Sequence, residues 1–318
     1  MYHIARRLAI TLSLSSVILG AKAQVAPTDS LGEVRDSVRR LDEVVVYARQ
    51  MLGSKFEARN RTGSAYYLSP KELKKFGYTD ISRMLRAVPG VNIYEEDGYG
   101  LRPNISLRGT KAERSERISL MEDGILAAPA PYAAPAAYYF PNVARMYAIE
   151  VLKGSSQVQY GPFTTGGAVN MVSTPIPKSF QAGLRSSYGS FGTFNTYAHL
   201  GSDHKHVGYL VEYLRYQSKG FKKDEPNERT GFYRNDVVGK LRIHSDEDAE
   251  IRQALELKLG FSNEHSDESY VGLSEQDFAS RPYYRYRGAQ MDQLQTRHTQ
   301  TALTHLIAFT GGLKVTTS

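Results

Sequence analysis

Two runs in the second half of the chain alternate between apolar and charged residues, and they restrict the possible folds more than any other feature. From Tyr233 to Ile243 the odd positions are mostly apolar and the even positions mostly charged, and the run from Ile251 to Phe261 repeats the pattern. Successive side chains of a strand point to opposite faces, so each run predicts a strand with one apolar and one charged face. About eleven residues suffice for a tilted transmembrane strand, and an apolar exterior around a wet interior is typical of a membrane β-barrel. A soluble β-sandwich shows the same alternation on shorter strands and is the alternative.

The connections between the predicted strands differ in length in a regular way. Short links at 201–205, 245–249 and 310–312 alternate with long polar loops at 218–230 and 263–295. Short turns on one side and long loops on the other are typical of outer-membrane barrels. The pattern predicts about six strands and the start of a seventh. An open barrel would leave unpaired backbone edges in lipid, so we expect this sequence to be a fragment or a truncated reading frame.

The first half of the chain follows a different pattern, and we predict a mixed α+β domain there, spanning residues 62–178. Ser69 before Pro70 predicts the start of one short helix, and a second helix is predicted to run from Thr79 or Asp80 through Arg86. Glycine and proline turns separate four predicted short strands, which excludes a doubly wound parallel sheet. These strands are Val91–Tyr94, Ile105–Arg108, Ile118–Met121 and Ala148–Leu152.

The first residues have the layout of a secretory signal peptide. Arg6 and Arg7 precede a short apolar run from Leu8 to Gly20, and Ala21-Lys22-Ala23 places small residues at the cleavage positions. The apolar run is too short to span a bilayer, so we predict residues 1–23 to be a cleaved signal peptide.

The composition narrows the function of an exported chain. The net charge is +7, and export favours an anionic ligand or an anionic membrane surface over nucleic acid as its partner. The chain has no cysteine, which excludes disulfides and thiolate metal sites. The histidines follow strand alternation and turns, so we predict no metal site. We find no motif of a catalytic triad, a zinc hydrolase or a phosphate loop, and we predict that the protein is not an enzyme.

A strand-forming segment near the N-terminus has no neighbouring strand with which to form a hairpin. It lies within residues 24–61, a region that is otherwise polar and charged. An isolated extended segment can add to the sheet edge of another protein through its free backbone groups. The alternative is an ordinary first strand of the mixed domain. The residues of the segment are Asp42, Glu43, Val44, Val45, Val46 and Tyr47.

Six short motifs in the mixed domain resemble, in order and spacing, the plug domain of the TonB-dependent outer-membrane receptors. They are Val88-Pro-Gly-Val91, Ile105-Ser-Leu-Arg-Gly109, Leu120-Met-Glu-Asp-Gly124, Ile149-Glu-Val-Leu-Lys-Gly154, Tyr160-Gly-Pro162 and Gly166-Gly-Ala-Val-Asn170. Ala128-Pro-Ala-Pro-Tyr132 and the later run from Val271 to His305 are similar to the ferric-citrate receptor branch.

The resemblance implies a plug domain inside a transmembrane antiparallel β-barrel, which has 22 strands in the family. Residues 179–318 would form the first barrel strands, in contact with outer-membrane lipid. The family imports a scarce ligand, usually a ferric chelate, and the iron is then cargo and not a cofactor. An inner-membrane complex drives the import through TonB, which grips an N-terminal box. The resemblance assigns this TonB box to residues 42–47. It leaves haem, a vitamin or a glycan as alternative cargo, and a soluble exported binding module as an alternative class.

The resemblance also implies two sets of functional residues in the plug domain. We expect the ligand to contact Arg114, Tyr132, Phe163 and Thr164 at the outward apex. The sequence departs from the citrate branch at Ala133-Ala134 and at Phe163, where that branch tends to carry glutamines, so the cargo stays open.

The second set would brace the plug domain against the barrel. Family positions predict that Arg108 and Lys153 pair with barrel carboxylates. Glu256, on the charged face of its strand, and Glu212 are the candidate partners.

Overall fold

The computed structural model describes residues 50–76, 79–128, 131, 133–161, 165–223, 230–246, 248–309 and 313–318. All of them belong to one structural unit that spans residues 39–318. The predicted signal peptide and the predicted TonB box lie outside the described residues.

The mixed domain contains short helices around a small sheet. The helices are α1 (Lys55–Asn60), α2 (Pro70–Phe76) and α3 (Ile81–Leu85). The strands are β1 (Ser64–Leu68), β2 (Val91–Tyr94), β3 (Asn104–Leu107), β4 (Ile118–Glu122), β5 (Ile125–Leu126), β6 (Met146–Lys153) and β7 (Gly167–Ser173). Five strands form a sheet in the order β1-β6-β7-β4-β5, in which only β4 and β7 run parallel, and β2 pairs separately with β3. None of the described helices is long and apolar enough to cross a membrane.

Both predicted helix starts are confirmed by their capping contacts. The side chain of Asp80 accepts a hydrogen bond from the backbone N–H of Ser82 at 2.7 Å. The backbone N–H of Ser69 donates to the Glu72 carboxylate at 2.9 Å, which satisfies a donor at the start of α2. Buried side chains of α2 and α3, such as Leu73 and Met84, join the main apolar core of the domain.

The four predicted strands are present, but the sequence prediction missed β1, β5, β7 and α1. β7 is buried along its whole length and therefore has no alternation to detect. Upstream of β1, Met51, Leu52 and Ala58 belong to a buried cluster with Tyr67 and Leu152. Packing therefore extends the mixed domain upstream of the predicted boundary at residue 62.

The rest of the described chain forms one large antiparallel sheet in sequence order. Its strands are β8 (Gln181–Gly189), β9 (Thr193–His204), β10 (Val207–Ser218), β11 (Phe232–His244), β12 (Ile251–Ser266), β13 (Leu294–Phe309) and β14 (Lys314–Thr317). β9 to β13 are 12 to 16 residues long, long enough for tilted transmembrane strands. A β-sandwich would need a second sheet of this kind, and the described residues form none. Helix α4 (Glu275–Ser280) lies in the loop between β12 and β13.

The two faces of this large sheet are those predicted from the alternation. On β11, Val237 and Leu241 are 43% and 46% exposed on the outward face, whereas Asp236 and Arg242 are 2% and 1% exposed on the inward face. The inward face is buried because the mixed domain lies against it, as the contacts below show. Residues 219–231 and 267–293 connect strands at one end, here called the long-loop end, and 205–206 and 245–250 connect them at the short-turn end.

We predict that Gly167 at the start of β7 tolerates no side chain. Its φ is +152°, and an added Cβ would lie 2.3 Å from both the Leu152 carbonyl oxygen and the Leu107 side chain. Gly167→Ala must displace strand backbone, which we expect to lower the free energy of unfolding by roughly 1–3 kcal/mol. Gly189→Ala is the matched control, since an added Cβ there would meet no atom within 4 Å. Urea midpoints followed by near-UV circular dichroism measure both, and equal midpoints would contradict the prediction.

Candidate functional site

A tight hairpin carries two acidic residues to the face of the mixed domain that meets the large sheet. Asp123 and Gly124 connect β4 to β5, with φ of +55° and +79°. Positive φ at both positions is the requirement of a type I′ turn, which Asp-Gly satisfies well. Glu122 ends β4 and precedes this turn, so the two carboxylates project together at the edge of the domain.

Cations from both parts of the protein converge on this acidic pair. Arg145, in the mixed domain, donates to the two carboxylate oxygens of Glu122 at 2.6 and 2.9 Å. Lys258, on β12, donates to Glu122 Oε1 and to Asp123 Oδ2, both at 2.6 Å. All four side chains are almost fully buried. This is therefore a completed ion-pair cluster that joins the domain to the sheet.

The side chains of the cluster stay ionised although they are buried. Burial alone would raise the pKa of Glu122, but the charges of Arg145 and Lys258 outweigh burial and lower the pKa to about 2. Burial would likewise lower the pKa of Arg145, and the opposing charge of Glu122 raises it above the ordinary value. Glu122 and Arg145 therefore remain ionised at neutral pH.

Further contacts extend the cluster along the large sheet. On β11, Arg234 donates to the Phe140 carbonyl oxygen at 2.7 Å, and Lys240 donates to the Thr174 carbonyl oxygen at 2.6 Å. Arg102 of the mixed domain donates to Glu264 at 2.6 Å and to Glu268 at 2.5 Å. We call the whole set the charged interface. Its members are Arg102, Glu122, Asp123 and Arg145 of the mixed domain, and Arg234, Asp236, Lys240, Lys258, Glu264 and Glu268 from the large sheet and the loop after β12.

Among the described residues, this connection does not involve Arg108 or Lys153, and their bracing role stays a prediction. Lys153 donates to the Pro89 carbonyl oxygen at 2.5 Å, within the mixed domain, and Arg108 lies against Gly154. Within the described part of the chain, neither forms an ion pair with a carboxylate of the large sheet. Glu256 faces inward as predicted, but it pairs at 3.2 Å with Arg242 of the neighbouring strand.

The positions of these residues explain their contacts. Lys153 and Arg108 are held within the domain by their own strand ends and turns, whereas the Asp-Gly hairpin reaches the sheet. Glu212, the other candidate partner, accepts a hydrogen bond from the Tyr197 hydroxyl on the adjacent strand. The Asp-Gly dipeptide after a strand was the sequence signal that could have identified the acidic pair.

At the long-loop end, Arg114 connects the mixed domain to the loop after β12. Its guanidinium lies 4.9 Å from the centre of the Tyr270 ring and 3.3 Å from the Glu96 carboxylate. The loop is organised by the buried Arg285, which donates to the carbonyl oxygens of Asp267 and Asp292 at 2.6 and 2.9 Å. Arg114 thus has partly exposed donors at the predicted apex. The other predicted ligand residues, Tyr132, Phe163 and Thr164, lie outside the described residues, and their role stays a prediction.

An aromatic cluster, which the sequence analysis did not identify, attaches the mixed domain to the large sheet at the same end. Tyr99, from the segment between β2 and β3, lies 5.6 Å from Phe221 and 4.7 Å from Phe232, measured between ring centres. Phe221 also contacts Phe191 and Tyr283, which belong to two other connections at the long-loop end. Through Phe221, this segment of the mixed domain therefore joins an aromatic cluster drawn from three separate connections of the large sheet.

A buried carboxylate anchors the first described residues of the chain. Glu150, on β6, accepts hydrogen bonds from the backbone N–H groups of Met51, Leu52 and Gly53 at 2.6, 3.0 and 2.9 Å. The Asn170 side chain donates a fourth at 2.9 Å. Burial raises the pKa of Glu150, although these hydrogen bonds oppose the rise. The chain is thus attached to the central strand pair of the small sheet a few residues after the predicted TonB box.

The described residues contain no group of three or more histidine, aspartate or glutamate side chains that could hold a metal ion. The charged interface connects the mixed domain to the large sheet through ion pairs, and its arrangement is that of a structural contact.

Comparison with known proteins agrees with this description. Residues 57–168 match the family model described as the TonB-dependent receptor plug domain. The fold is similar to those of the ferric citrate transporter FecA, in its unliganded form (22% identity, TM-score 0.67), and the ferric yersiniabactin uptake receptor FyuA from Yersinia pestis (19%, 0.62). In each case the match covers 80% of this chain and 39% of the other.

The siderophore receptor PirA from Acinetobacter baumannii is a further match, with 18% identity and a TM-score of 0.57 over 79% of this chain and 38% of PirA. At these identities the likeness shows a common fold. This chain spans about two fifths of the length of each of these proteins.

Acid should weaken the charged interface through Glu122. Its pKa in the folded protein lies near 2, below its ordinary value of 4.5, so its stabilising contribution is present above pH 4.5 and lost as the pH falls towards 2. We expect this group to lower the free energy of unfolding by on the order of 3 kcal/mol between about pH 5 and pH 2. Urea unfolding at a series of pH values measures the effect.

Two variants distinguish the contribution of Glu122 to this pH dependence from that of the other carboxylates. Glu122→Gln should be less stable at neutral pH, because it leaves Arg145 and Lys258 without their anion, and its stability should depend less on pH. Glu275→Gln, at an exposed position, should follow the native curve. A native pH dependence in Glu122→Gln would rule out this assignment.

Proposed function

We propose that this chain, which carries the plug domain and the first barrel strands of a TonB-dependent receptor, takes part in energised import of a ferric chelate across the outer membrane. The mixed domain is the plug domain. The observation that carries the proposal is the charged interface: a separate domain occupies the inward face of the barrel strands and is attached there by buried ion pairs. A passive pore would have no use for a domain held in this way.

The ion pairs that attach the plug domain favour energy-dependent transport over simple diffusion. Breaking a buried ion pair leaves an uncompensated charge and costs about 3–5 kcal/mol for a single pair. The charged interface contains several such pairs, so thermal motion alone rarely separates the plug domain from the strands. Work supplied from outside the molecule is therefore needed to open a path, as TonB would provide.

The Glu150 anchor supports a specific route for that work. TonB would bind residues 42–47 by adding them to a sheet edge, and tension would reach Met51–Gly53 within a few residues. Glu150 holds these residues on β6, which is paired with β7, and Asn170 of β7 donates to the same carboxylate. β7 ends at Ser173, whose backbone N–H and hydroxyl donate to Asp123. Force on the N-terminal segment thus has a connected path to the charged interface.

The position of Arg114 supports an anionic ligand at the long-loop end. A ferric chelate with carboxylate or phenolate donors is anionic, and a guanidinium binds such oxygens through charge-assisted hydrogen bonds. FecA and FyuA are named for a citrate and a yersiniabactin complex of iron. Ferric citrate or a similar siderophore complex is the cargo we propose on these grounds.

A proline in the proposed TonB box tests the coupling. Val45→Pro removes a backbone donor from the strand that would add to TonB, so we expect uptake of the radiolabelled ferric chelate to fall to background while surface binding is kept. Asp36→Pro, in the charged segment before the box, is the control and should transport normally. Unchanged uptake in Val45→Pro would exclude residues 42–47 as the coupling segment.

A substitution at the apex tests the ligand site. Arg114→Ala removes a charged donor, and we expect chelate affinity to fall by roughly 10-fold to 100-fold, the effect of losing a hydrogen bond to a charged group. Arg117→Ala removes a nearby exposed arginine of the same charge and should change affinity little. Fluorescence quenching titrations on the purified receptor provide the affinities. Equal losses in the two variants would show that general electrostatic attraction, and not Arg114, holds the chelate.

A further inference from the structure

The outward face of the large sheet carries two adjacent rows of polar side chains at the long-loop end. The strand register places Arg215, Asn235, Asn263 and Arg297 side by side across β10 to β13. The next row towards the loops contains Gln217, Tyr233, His265 and Gln295. We call these eight residues the polar band.

The same face is apolar immediately below the polar band. Towards the short-turn end, the outward side chains of β11 and β12 are 42% to 56% exposed. They are Val237, Leu241, Ile243, Leu255, Leu259 and Phe261. On β11 and β12 the polar band therefore begins where an apolar surface ends, as expected at the boundary between the hydrocarbon and headgroup regions of a bilayer, and on β13 Thr299 and Thr301 continue the face below Arg297.

Within the polar band, Arg215 is held in place without being neutralised. Its Nε and Nη2 donate to Gln217 Oε1 at 2.9 and 2.7 Å, and its Nη1 donates to Asn235 Oδ1 at 3.0 Å. The guanidinium also lies 4.8 Å from the centre of the Tyr233 ring. All of these partners are uncharged, so they orient the guanidinium and leave its positive charge available.

The rest of the polar band adds a second cation. Arg297 is exposed on β13, and among the described residues it forms no hydrogen bond or ion pair. The Asp267 carboxylate also lies close to the band, 3.1 Å from His265 Nε2 and within hydrogen-bond distance of it. His265 in turn stacks on Tyr233 at 5.5 Å.

We propose that the polar band binds the phosphate groups of a lipid headgroup in the outer leaflet. Arg215 and Arg297 are three strands apart, or about 14 Å at the usual strand spacing. A single phosphate ion cannot bridge that distance, whereas a headgroup with two separated phosphates can. The apolar surface directly below would hold the acyl chains of the same lipid. The inference rests on the proposed function, because the outward face meets lipid only if the receptor is in the outer membrane.

Lipid binding by the purified receptor tests the proposal. The probe is phosphatidylcholine vesicles that contain a minor fraction of diphosphorylated lipid A, compared with phosphatidylcholine alone, in a flotation assay. Arg215→Gln and Arg297→Gln should each lower affinity for the lipid A vesicles about fivefold, the effect expected of one basic residue near an anionic surface. The double variant should lose about 25-fold, since distant sites contribute additively. Arg215→Lys should stay within about twofold of the native receptor, because it keeps the charge.

Arg287→Gln is the matched control. It removes one positive charge from the exposed loop between β12 and β13, outside the polar band, and should bind lipid A vesicles as the native receptor does. A native circular dichroism spectrum in each variant shows that the fold is intact.

Three outcomes would overturn the proposal. They are native affinity in the double variant, an equal loss in Arg287→Gln, and full displacement of the vesicles by inorganic phosphate, which would indicate a site for free anions. Chelate binding is measured on the same samples. Absence of chelate binding in the native receptor would refute the proposed function, whereas loss of lipid A binding alone in the double variant would support the polar band.

Discussion

The buried carboxylates of Glu122 and Asp123 are the constraint on which the rest of the structure depends. Two negative charges in a water-excluded site are tolerable only with cations in contact, and here Arg145 comes from the plug domain and Lys258 from the large sheet. The inward face of the sheet has the complementary requirement, since its own charged side chains lack water where the plug domain covers them. The plug domain and the large sheet therefore each supply counter-charges for the buried charged side chains of the other.

The charged interface differs from the interior of the plug domain in the type of contact that holds it together. The plug domain has its own apolar core, in which the helix side chains Leu73 and Met84 pack with Ile149 and Val169 of the sheet. Its contact with the barrel strands combines the charged interface with the aromatic cluster at the long-loop end. Charged groups that separate can be hydrated again, whereas an exposed apolar core cannot. Such a domain can separate at its boundary under load and keep its fold.

Sequence reasoning succeeded where the relevant physics is local. The starts of α2 and α3 followed from capping by Ser69 and Asp80, and the faces of β11 and β12 followed from strict alternation. It failed where a residue's environment depends on distant parts of the chain. β7, which is buried along its whole length, was missed, and so was the pairing of Glu122 with Lys258 across 136 positions of the chain.

The sequence by itself determined which side chains of the large sheet face inward and which face outward, because alternation is a property of each strand alone. It also determined the hairpin that displays Glu122, because Asp-Gly favours that turn without any outside help. Only the tertiary structure decided that Glu122 meets Lys258, a residue 136 positions away along the chain. Many inward cations were available to that carboxylate, and the choice among them depended on how the plug domain docks against the strands.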